Sequence, residues 1–381
     1  MRLLYTTSDF KPEGFPSPGV PLLLDEGMKL VESACQWFFH IALVRGRTRS
    51  PLTWRSYAEA LYDWFQTCSV NGWQWDRVTD SQLSAYRNHM LVPSSYTGRP
   101  YAIRTINGRL RRISMFYRWC LRKKLISQLP FDFEDVRTSR RASRSTLSHL
   151  DTQHGATAAN VLTLPEYEHL PRALQPDELR EIYRHLGVRD KLIVHWSVTT
   201  GTRQKEVLGL TNHQVPASKR LSNGALMVIN ITVTKGNKPR NIYPSLRLLD
   251  RTNDYISEER AAIIKRQHKT AGYVAPAALW LSREGRPLSK SAINKSFRAA
   301  CAKAGIDASF HDLRHTYAIN TLAALQVQVR NNPEIDLNPL KALQILLGHA
   351  NLSTTQIYLQ ALKLNMESIE DIVQALYEDL I

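Results

Sequence analysis

Residues 346–359 read LLGHANLSTTQIYL. In this stretch a histidine, His349, precedes a tyrosine, Tyr358, by nine residues. A tyrosine in such a segment ordinarily packs on one face of a helix, and the chain contains 15 tyrosines. A tyrosine hydroxyl is also an oxygen nucleophile once its surroundings lower its pKa, which is about 10 in model peptides. The choice between these interpretations depends on the polar residues that the chain can bring to Tyr358.

Three more stretches carry candidate residues for such a site. They are GTRQKEVLGL at residues 201–210, TKGNKPRNIY at 234–243 and HDLRHTY at 311–317. Each stretch alone is a weak signal, because arginines and lysines are normally solvated surface residues. The candidate residues of the four stretches are Arg203, Glu206, Lys235, His311, Arg314, His315, His349 and Tyr358. Their order along the chain is more specific than any single motif.

In this order and spacing, the four stretches resemble the tyrosine recombinase (phage integrase) family, and the likeness extends from about residue 28 onward. The resemblance implies a site-specific DNA recombinase that cleaves and rejoins strands through a covalent 3′-phosphotyrosyl intermediate on Tyr358. It also implies a mainly α fold with a small β-sheet, in which a helical core-binding domain precedes a mixed α/β catalytic domain. The expected partners are a double-stranded DNA recombination site and further copies of this chain, which assemble into a tetramer at synapsis.

The chemistry of phosphodiester cleavage explains the two arginines. Attack by an oxygen nucleophile builds a second negative charge on the nonbridging oxygens. Arg203 and Arg314 stay charged and are planar, so each can hold two oxygens in a forked geometry. Arg203 also follows a Gly-Thr helix start, where backbone N–H groups favour an anion.

Tyr358 needs a proton acceptor or a strong positive potential, which we expect from its neighbours. The neighbours expected to supply them are His311, Arg314 and His349.

The remaining candidates have assisting roles. Lys235 lies in a predicted β-turn and is expected to be the general acid for the departing 5′ oxygen, with Lys238 in the same turn as the competing candidate. By the same interpretation, His311 and His349 donate hydrogen bonds to the phosphate. The residues expected to orient the site without touching DNA are Glu206 and His315.

Two histidines four residues apart, His311 and His315, also have the spacing of a zinc-binding helix. We expect no metal here, since Asp312 and Leu313 replace the general-base glutamate of HExxH, and Arg314 would set a cation against the ion. The sequence contains neither a Walker loop nor a GxGxxG motif. We therefore expect no cofactor.

The composition points to a polyanionic partner. Of the 381 residues, 43% are hydrophobic and 22% charged, which suits two or three domains with ordinary cores. The 50 Lys and Arg exceed the 34 Asp and Glu, giving a net charge of +16. The four cysteines lie far apart with no CxxC pair, which argues against a disulfide framework. With no apolar run of membrane-spanning or signal length, we expect a cytoplasmic, nucleoid-associated protein without membrane contact.

Composition shifts divide the chain into four segments. These are an extended N-terminal arm (1–27), a helical DNA-binding domain (28–136), a basic linker (137–172) and a catalytic domain with a C-terminal docking helix (173–381). Proline and glycine exclude helix from the arm, and the linker is rich in Ser, Thr, Ala and Arg without periodicity. In the catalytic domain, ALMVINITVT at 225–234 predicts a strand that a turn connects to a second strand.

The segment from Ala102 to Lys124 predicts an amphipathic helix whose polar face has one sign of charge. It contains eight Lys or Arg and no acid. A helical projection places the apolar and basic residues on opposite faces. The predicted buried residues are Ile106, Leu110, Ile113, Tyr117 and Cys120, and the predicted DNA contacts are Arg104, Arg111, Arg118 and Arg122. A charged face is usually only solvated, but like charges repel one another unless a phosphate backbone neutralises them.

Two segments depart from the family pattern. The connection at residues 326–341 is long, and we expect an inserted loop there. After Lys363 the chain has no Lys or Arg and places acids around apolar positions. This pattern predicts an acidic amphipathic helix that docks on a neighbouring subunit or, alternatively, folds back on its own domain. The sequence identifies no accessory protein.

Other functions stay open at this point. A type IB topoisomerase uses the same cluster in one subunit, but the acidic tail argues against it. A noncatalytic DNA-binding regulator would not require the complete set of candidates, and a metal nuclease would be sensitive to EDTA. Phage integration, transposon movement and chromosome resolution all remain alternatives, with the long linker and insertion favouring a mobile element.

Overall fold

The computed structural model describes residues 1–46, 50–93, 98–136, 157–166, 170–216, 227–234, 238–334, 336–349 and 351–364. The chain forms two compact units, Met1–Glu168 and His169–Ile381. The described elements are mainly helical, with three antiparallel strand pairs, as the mainly α prediction with little sheet requires. In the described residues, no helix is both long and apolar enough to span a membrane.

The first unit contains four α-helices and two strand pairs among its described residues, besides short 3₁₀ and π helices. The helices are α1 (Glu32–Phe39), α2 (Pro51–Val70), α3 (Asp80–Leu91) and α4 (Ile103–Arg122). The strands are β1 (Arg2–Tyr5), β2 (Pro21–Leu24), β3 (Phe133–Val136) and β4 (Thr157–Asn160). Helix α3 begins with a capping box, in which Thr79 and Gln82 are bonded reciprocally.

The N-terminal segment is not the extended arm that was predicted for residues 1–27. Strands β1 and β2 form an antiparallel pair in register from Arg2 opposite Leu24 to Tyr5 opposite Pro21. Val20 and Leu23 are fully buried. Proline and glycine disfavour an α-helix here, and the connection between the two short strands contains a three-residue 3₁₀ helix, Pro12–Gly14. The leucines of β2 supply the burial energy.

The described part of the predicted linker 137–172 also departs from expectation. Strand β4 pairs with β3 of the helical unit. Leu162 is buried in the core of that unit, and Asn107 on α4 bonds the backbone of Leu164 through both its amide nitrogen and its amide oxygen. The first unit therefore extends through residue 168, because a polar side chain on α4 satisfies the backbone of this returning segment.

Helix α4 has the two faces that its sequence predicts. All five residues of the predicted apolar face, including Tyr117, are buried, and the four arginines of the basic stripe are exposed. The core around it is aromatic, with Phe116 making edge contacts to Trp37 and Phe65. Trp64 donates a hydrogen bond to the Tyr117 hydroxyl at 3.0 Å. These contacts fix the rotation of α4 and hold the basic stripe toward solvent.

The second unit contains nine α-helices and one strand pair among its described residues, besides short 3₁₀ and π helices. The helices are α5 (Pro176–Arg184), α6 (Val188–Thr200), α7 (Gln204–Leu208), α8 (Leu246–Tyr255), α9 (Ala261–Gln267), α10 (Lys290–Ala304), α11 (Phe310–Asn331), α12 (Pro339–Leu347) and α13 (Ser353–Leu364). Strands β5 (Ile229–Ile231) and β6 (Arg240–Ile242) pair with Ile229 opposite Ile242. The long central helix α11 packs against α6 on one side and against α12 and α13 on others. This packing brings the four motif-bearing segments near one another.

Two features of the second unit differ from their predictions, and two predicted features lie outside the described residues. The segment 326–341 is not simply an inserted loop, because α11 continues through Asn331 and α12 begins at Pro339. Strand β5 is shorter than the predicted 225–234 strand. Lys235 and the predicted docking helix after residue 364 lie outside the described residues.

Candidate active site

A sharp chain reversal connects α6 to α7 and carries the first candidate arginine. Gly201 ends α6 with φ +62°, a left-handed conformation that favours glycine. A Cβ atom at this position would lie 2.6 Å from Cε1 of Tyr317, so the close approach of that ring also requires a glycine. Arg203 follows as the N-cap residue of α7.

The buried carboxylate of Glu206 connects two arginines. Arg203 donates a hydrogen bond from Nη1 to Oε1 at 2.7 Å, and Arg240 on β6 donates one from Nη2 to Oε2 at 2.7 Å. Burial raises the pKa of Glu206, but Arg240 and then Arg203 outweigh it and hold that pKa below its ordinary value. The backbone N–H of Arg203, expected to favour a DNA phosphate, donates instead to Glu206 Oε2 at 2.8 Å.

Arg314 lies in the first half of α11 and is buried. Its Nη1 donates to the backbone oxygen of Gly201 at 2.5 Å, and its Nη2 donates to that of Leu347 at 2.7 Å. Nη2 also lies 3.0 Å from Nε2 of His349. Burial, followed by the charge of Arg203, lowers the pKa of Arg314 to about 9, so this guanidinium stays charged at neutral pH. One side chain thus holds together the ends of α6 and α12.

Both ring nitrogens of His349 are engaged. Because a guanidinium only donates, Nε2 accepts the hydrogen bond from Arg314, and Nδ1 donates to the Thr355 hydroxyl oxygen at 3.0 Å. Burial, followed by the charge of Arg314, lowers the pKa of His349 to about 4, so the ring is neutral at neutral pH. The predicted donation from His349 to a phosphate therefore requires a change of tautomer or of partner.

Tyr358 is buried on α13, with 3% of its surface exposed. Its ring is nearly parallel to that of His349, at a centroid distance of 6.3 Å. Its hydroxyl oxygen lies 3.1 Å from Nδ1 of His315. Burial raises the pKa of Tyr358, while the charges of Arg314 and then Arg203 oppose the increase. The hydroxyl is therefore protonated at neutral pH and has an acceptor within hydrogen-bond distance.

His311 is exposed and lies one helical turn before His315. The two rings pack edge to face, with centroids 4.5 Å apart. Within the described ranges, no group of three or more His, Cys, Asp or Glu residues is arranged to hold a metal ion.

The structure brings most of the predicted residues of the second unit into one cluster. Direct contacts connect Arg203 to Glu206, Arg314 to His349, His311 to His315, and His315 to Tyr358. Sequence reasoning missed Arg240, although this residue lies in the quoted stretch 234–243. No local sequence signal marks Arg240, because the burial of Glu206 and its pairing with Arg240 are visible only in three dimensions. The four α4 arginines lie in the other unit.

Comparison with known proteins identifies the fold and the class. The phage integrase family model matches residues 172–364, which is half of the chain. The tyrosine recombinase XerC of Lactobacillus delbrueckii subsp. bulgaricus is 27% identical over 324 residues, covering 82% of this chain and 89% of the relative. The tyrosine recombinase XerD of Lacticaseibacillus casei is 32% identical over 199 residues, covering 50% and 59%.

Two solved structures have the same fold. The Tn1549 transposon integrase in complex with transposon right end DNA has a TM-score of 0.56 and 16% identity, covering 89% of this chain and 98% of that one. The XerH site-specific recombinase bound to palindromic difH substrate has a TM-score of 0.53 and 17% identity, covering 85% and 81%. The fold and the relatives define a tyrosine-type site-specific DNA recombinase. The chain belongs to the phage integrase family.

Proposed function

We propose that this recombinase cleaves DNA with Tyr358 as the nucleophile, at a phosphodiester held by Arg203 and Arg314. The observation that carries the assignment is the position of the Tyr358 ring. It lies against His349, whose Nε2 accepts a hydrogen bond from Arg314, so one chain supplies both the hydroxyl and the guanidinium. A nucleophile delivered by another subunit is not needed for this geometry.

The net positive charge of the cluster complements the negative charge of the transition state. Arg203, Arg240 and Arg314 surround the single carboxylate of Glu206, with ion-pair distances of 2.7, 2.7 and 3.9 Å. Two positive charges therefore remain uncompensated. A phosphodiester carries one negative charge and its transition state carries two, so the excess stabilises the transition state more than the ground state.

The proposed step is a direct displacement at phosphorus. A bond forms between the Tyr358 oxygen and phosphorus, the Tyr358 O–H bond breaks with transfer of its proton to a neighbouring acceptor, and the bond from phosphorus to the 5′ oxygen breaks. The leaving oxygen takes a proton from Lys235, the general acid that we assign by resemblance. The resulting 3′-phosphotyrosyl linkage keeps the bond energy, so a 5′ hydroxyl from another strand can attack it in turn, without metal or nucleotide.

The first unit is proposed to supply DNA affinity. Its α4 stripe of Arg104, Arg111, Arg118 and Arg122 is exposed, and such an array suits a phosphate backbone. We assign residues 28–136 to DNA binding and residues 173–381 to catalysis. We further propose that four chains assemble at synapsis, that the acidic C-terminal segment docks on a neighbouring chain, and that the protein acts in the cytoplasm on nucleoid DNA.

The topoisomerase and regulator alternatives are not favoured. The relatives named above are recombinases. In addition, a noncatalytic regulator would not require a tyrosine hydroxyl beside a buried guanidinium. We propose a role in a mobile element because the segments 137–172 and 326–341 are long in sequence, although the first contains strand β4 and the second is partly helical.

A suicide substrate tests this function. The full chain is incubated in EDTA with nicked duplex DNA taken from the region that flanks its gene, and covalent complexes are counted on a denaturing gel. We expect a denaturation-resistant adduct with the wild type and with Tyr273→Phe, a control that lacks a different tyrosine hydroxyl. No adduct is expected with Tyr358→Phe. Adduct formation by Tyr358→Phe, or only when divalent metal is present, would overturn the proposal.

A further inference from the structure

Three histidines lie near Tyr358, and they differ in what their nitrogens contact. His349 uses Nε2 for Arg314 and Nδ1 for Thr355, and it meets the tyrosine only with its ring face. His315 instead directs Nδ1 at the tyrosine hydroxyl from 3.1 Å. His311 is exposed and contacts the ring of His315.

The protonation state of His315 suits an acceptor. Burial, followed by the positive charge that His311 can carry, lowers the pKa of His315 to about 4. On the same helix Asp312 opposes that shift, and Arg314 adds to it. From α13, the titratable group that faces the ring is Tyr358 itself. The imidazole is therefore neutral at neutral pH and has one nitrogen that can accept a proton.

We propose that His315, rather than His311 or His349, is the general base that removes the proton from Tyr358. The inference rests on the proposed function of Tyr358 as nucleophile. As the bond to phosphorus forms, the tyrosine O–H bond breaks and its proton moves to Nδ1 of His315. The 5′ oxygen leaves with the electron pair of its bond to phosphorus and receives a proton from a different group, Lys235 in the proposed step. His315 therefore ends the step as a cation. When a 5′ hydroxyl attacks the phosphotyrosine, its own proton goes to the group that protonated the first 5′ oxygen, and the proton on Nδ1 returns to the departing phenol oxygen.

The buried position of Tyr358 makes such a base necessary. Burial raises the pKa of its phenol, so the fraction ionised at neutral pH is small. The arginines stabilise the phenolate but accept no proton. A proton acceptor within hydrogen-bond distance is therefore required, and general base catalysis of this kind typically contributes about 10²–10⁴-fold to a rate.

The test compares His315→Gln with His268→Gln, a matched control at an exposed histidine of the same unit. Glutamine can hold the hydrogen bond to Tyr358 but does not act as a base. We expect His315→Gln to slow single-turnover adduct formation by about 10²–10⁴-fold while its DNA affinity and melting temperature stay close to wild type. His268→Gln should react at the wild-type rate.

A more acidic nucleophile separates a base from a residue that only supports the fold. When a fluorinated tyrosine replaces Tyr358, its phenol ionises more readily, and the rate of His315→Gln should recover by at least about tenfold. A merely structural defect would not be rescued. A His315→Gln rate within about tenfold of wild type, or a slow rate that fluorination leaves unchanged, would overturn the inference.

Two further readouts cover the remaining outcomes. If His315→Gln does not fold, the fluorinated tyrosine is placed in the otherwise wild-type chain. The pH below which its rate falls should then stay unchanged, because protonation of His315 causes that fall. A fall that shifts together with the phenol pKa would contradict the assignment.

Adduct formation by Tyr358→Phe would overturn the function of Tyr358 itself, whereas loss of adduct in Tyr358→Phe with a normal rate in His315→Gln would overturn only the role of His315.

Discussion

The guanidinium of Arg240 donates a 2.7 Å hydrogen bond to the carboxylate of Glu206, and both side chains are buried. Arg240 also donates to the backbone oxygen of Leu346 at 2.6 Å. It thereby ties strand β6 to α7 and to the end of α12. Arg240, which was not among the residues predicted from the sequence, therefore holds the predicted residue Glu206 and the end of α12 in place.

Removal of the Glu206 charge should strongly destabilise the folded protein. Glu206→Gln leaves three guanidiniums around a neutral amide, and breaking a buried ion pair typically costs about 3–5 kcal/mol. We expect a loss of this size in the free energy of unfolding measured with urea. The matched control is Glu181→Gln, which removes a more exposed partner of Arg184 and should cost less than about 1 kcal/mol. Equal effects of the two substitutions would show that the buried carboxylate has no special role.

Acid should lower the stability of the second unit before its carboxylates titrate. Burial is the first cause that lowers the pKa of His195, His315 and His349, each to about 4, from an ordinary value of 6.5. Between these values the unfolded chain binds more protons than the folded one, so stability is complete above pH 6.5 and falls as the pH drops toward 4. Urea midpoints between pH 7 and 4.5 measure this slope.

His195 provides a variant for this pH dependence that leaves the proposed cleavage residues intact. Its Nδ1 lies 3.3 Å from the Tyr183 hydroxyl, away from the cluster around Tyr358. His195→Gln should therefore reduce the pH dependence of the urea midpoint by the contribution of one histidine. A midpoint that stays constant from pH 7 to 4.5 in the wild type would contradict the assignment of neutral buried histidines.

Gly201 should be irreplaceable for two separable reasons. An alanine there adopts an unfavourable left-handed backbone, which costs about 1–2 kcal/mol, and also pushes its Cβ into the ring of Tyr317. Gly305 ends α10 with φ +68° and has open space around its missing Cβ, so Gly305→Ala reports the backbone cost alone. We expect Gly201→Ala to lower the free energy of unfolding further than Gly305→Ala and to abolish cleavage. Equal losses would mean that the Tyr317 ring moves aside freely.

Much of the fold could be predicted because its signals are local. The apolar and basic faces of α4 follow from a periodicity within one helix, and the α3 cap follows from Thr79 and Gln82, three residues apart. The strand pair of β3 and β4 could not be predicted in the same way, because residues distant in sequence form it. The N-terminal pair was missed because RLLY and PLLL are too short to show alternation.

The candidate site shows the same division. Family motifs predicted Arg314, His349 and Tyr358 as site residues, since their spacing is visible in the sequence. The role of Arg240 depends on Glu206, which is distant in sequence, and on the burial of both side chains. The basic stretch 234–243 alone therefore does not predict it. The role proposed for His315 likewise depends on which ring nitrogen faces the Tyr358 hydroxyl, and a sequence does not show the orientation of side chains.

The basic stripe on α4 should contribute phosphate contacts rather than sequence readout. Replacing Arg111 and Arg118 with glutamine should weaken binding to all DNA sequences, and the salt dependence of the affinity should lose about one unit of slope per contact. Fluorescence anisotropy over a range of salt concentrations measures this. Arg55→Gln, which removes an exposed arginine paired with Glu59 in the same unit, is the control and should leave the slope unchanged. An unchanged slope in the double variant would indicate that the stripe is only solvated.

The most direct test of the account is the position of the covalent bond itself. The wild-type adduct on a nicked substrate is trapped in EDTA, digested with nuclease and protease, and its peptides are sequenced by mass spectrometry. We predict a nucleotide attached through its 3′ phosphate to the hydroxyl of Tyr358. A nucleotide attached to any other residue, or attached through a 5′ phosphate, would contradict the central claim.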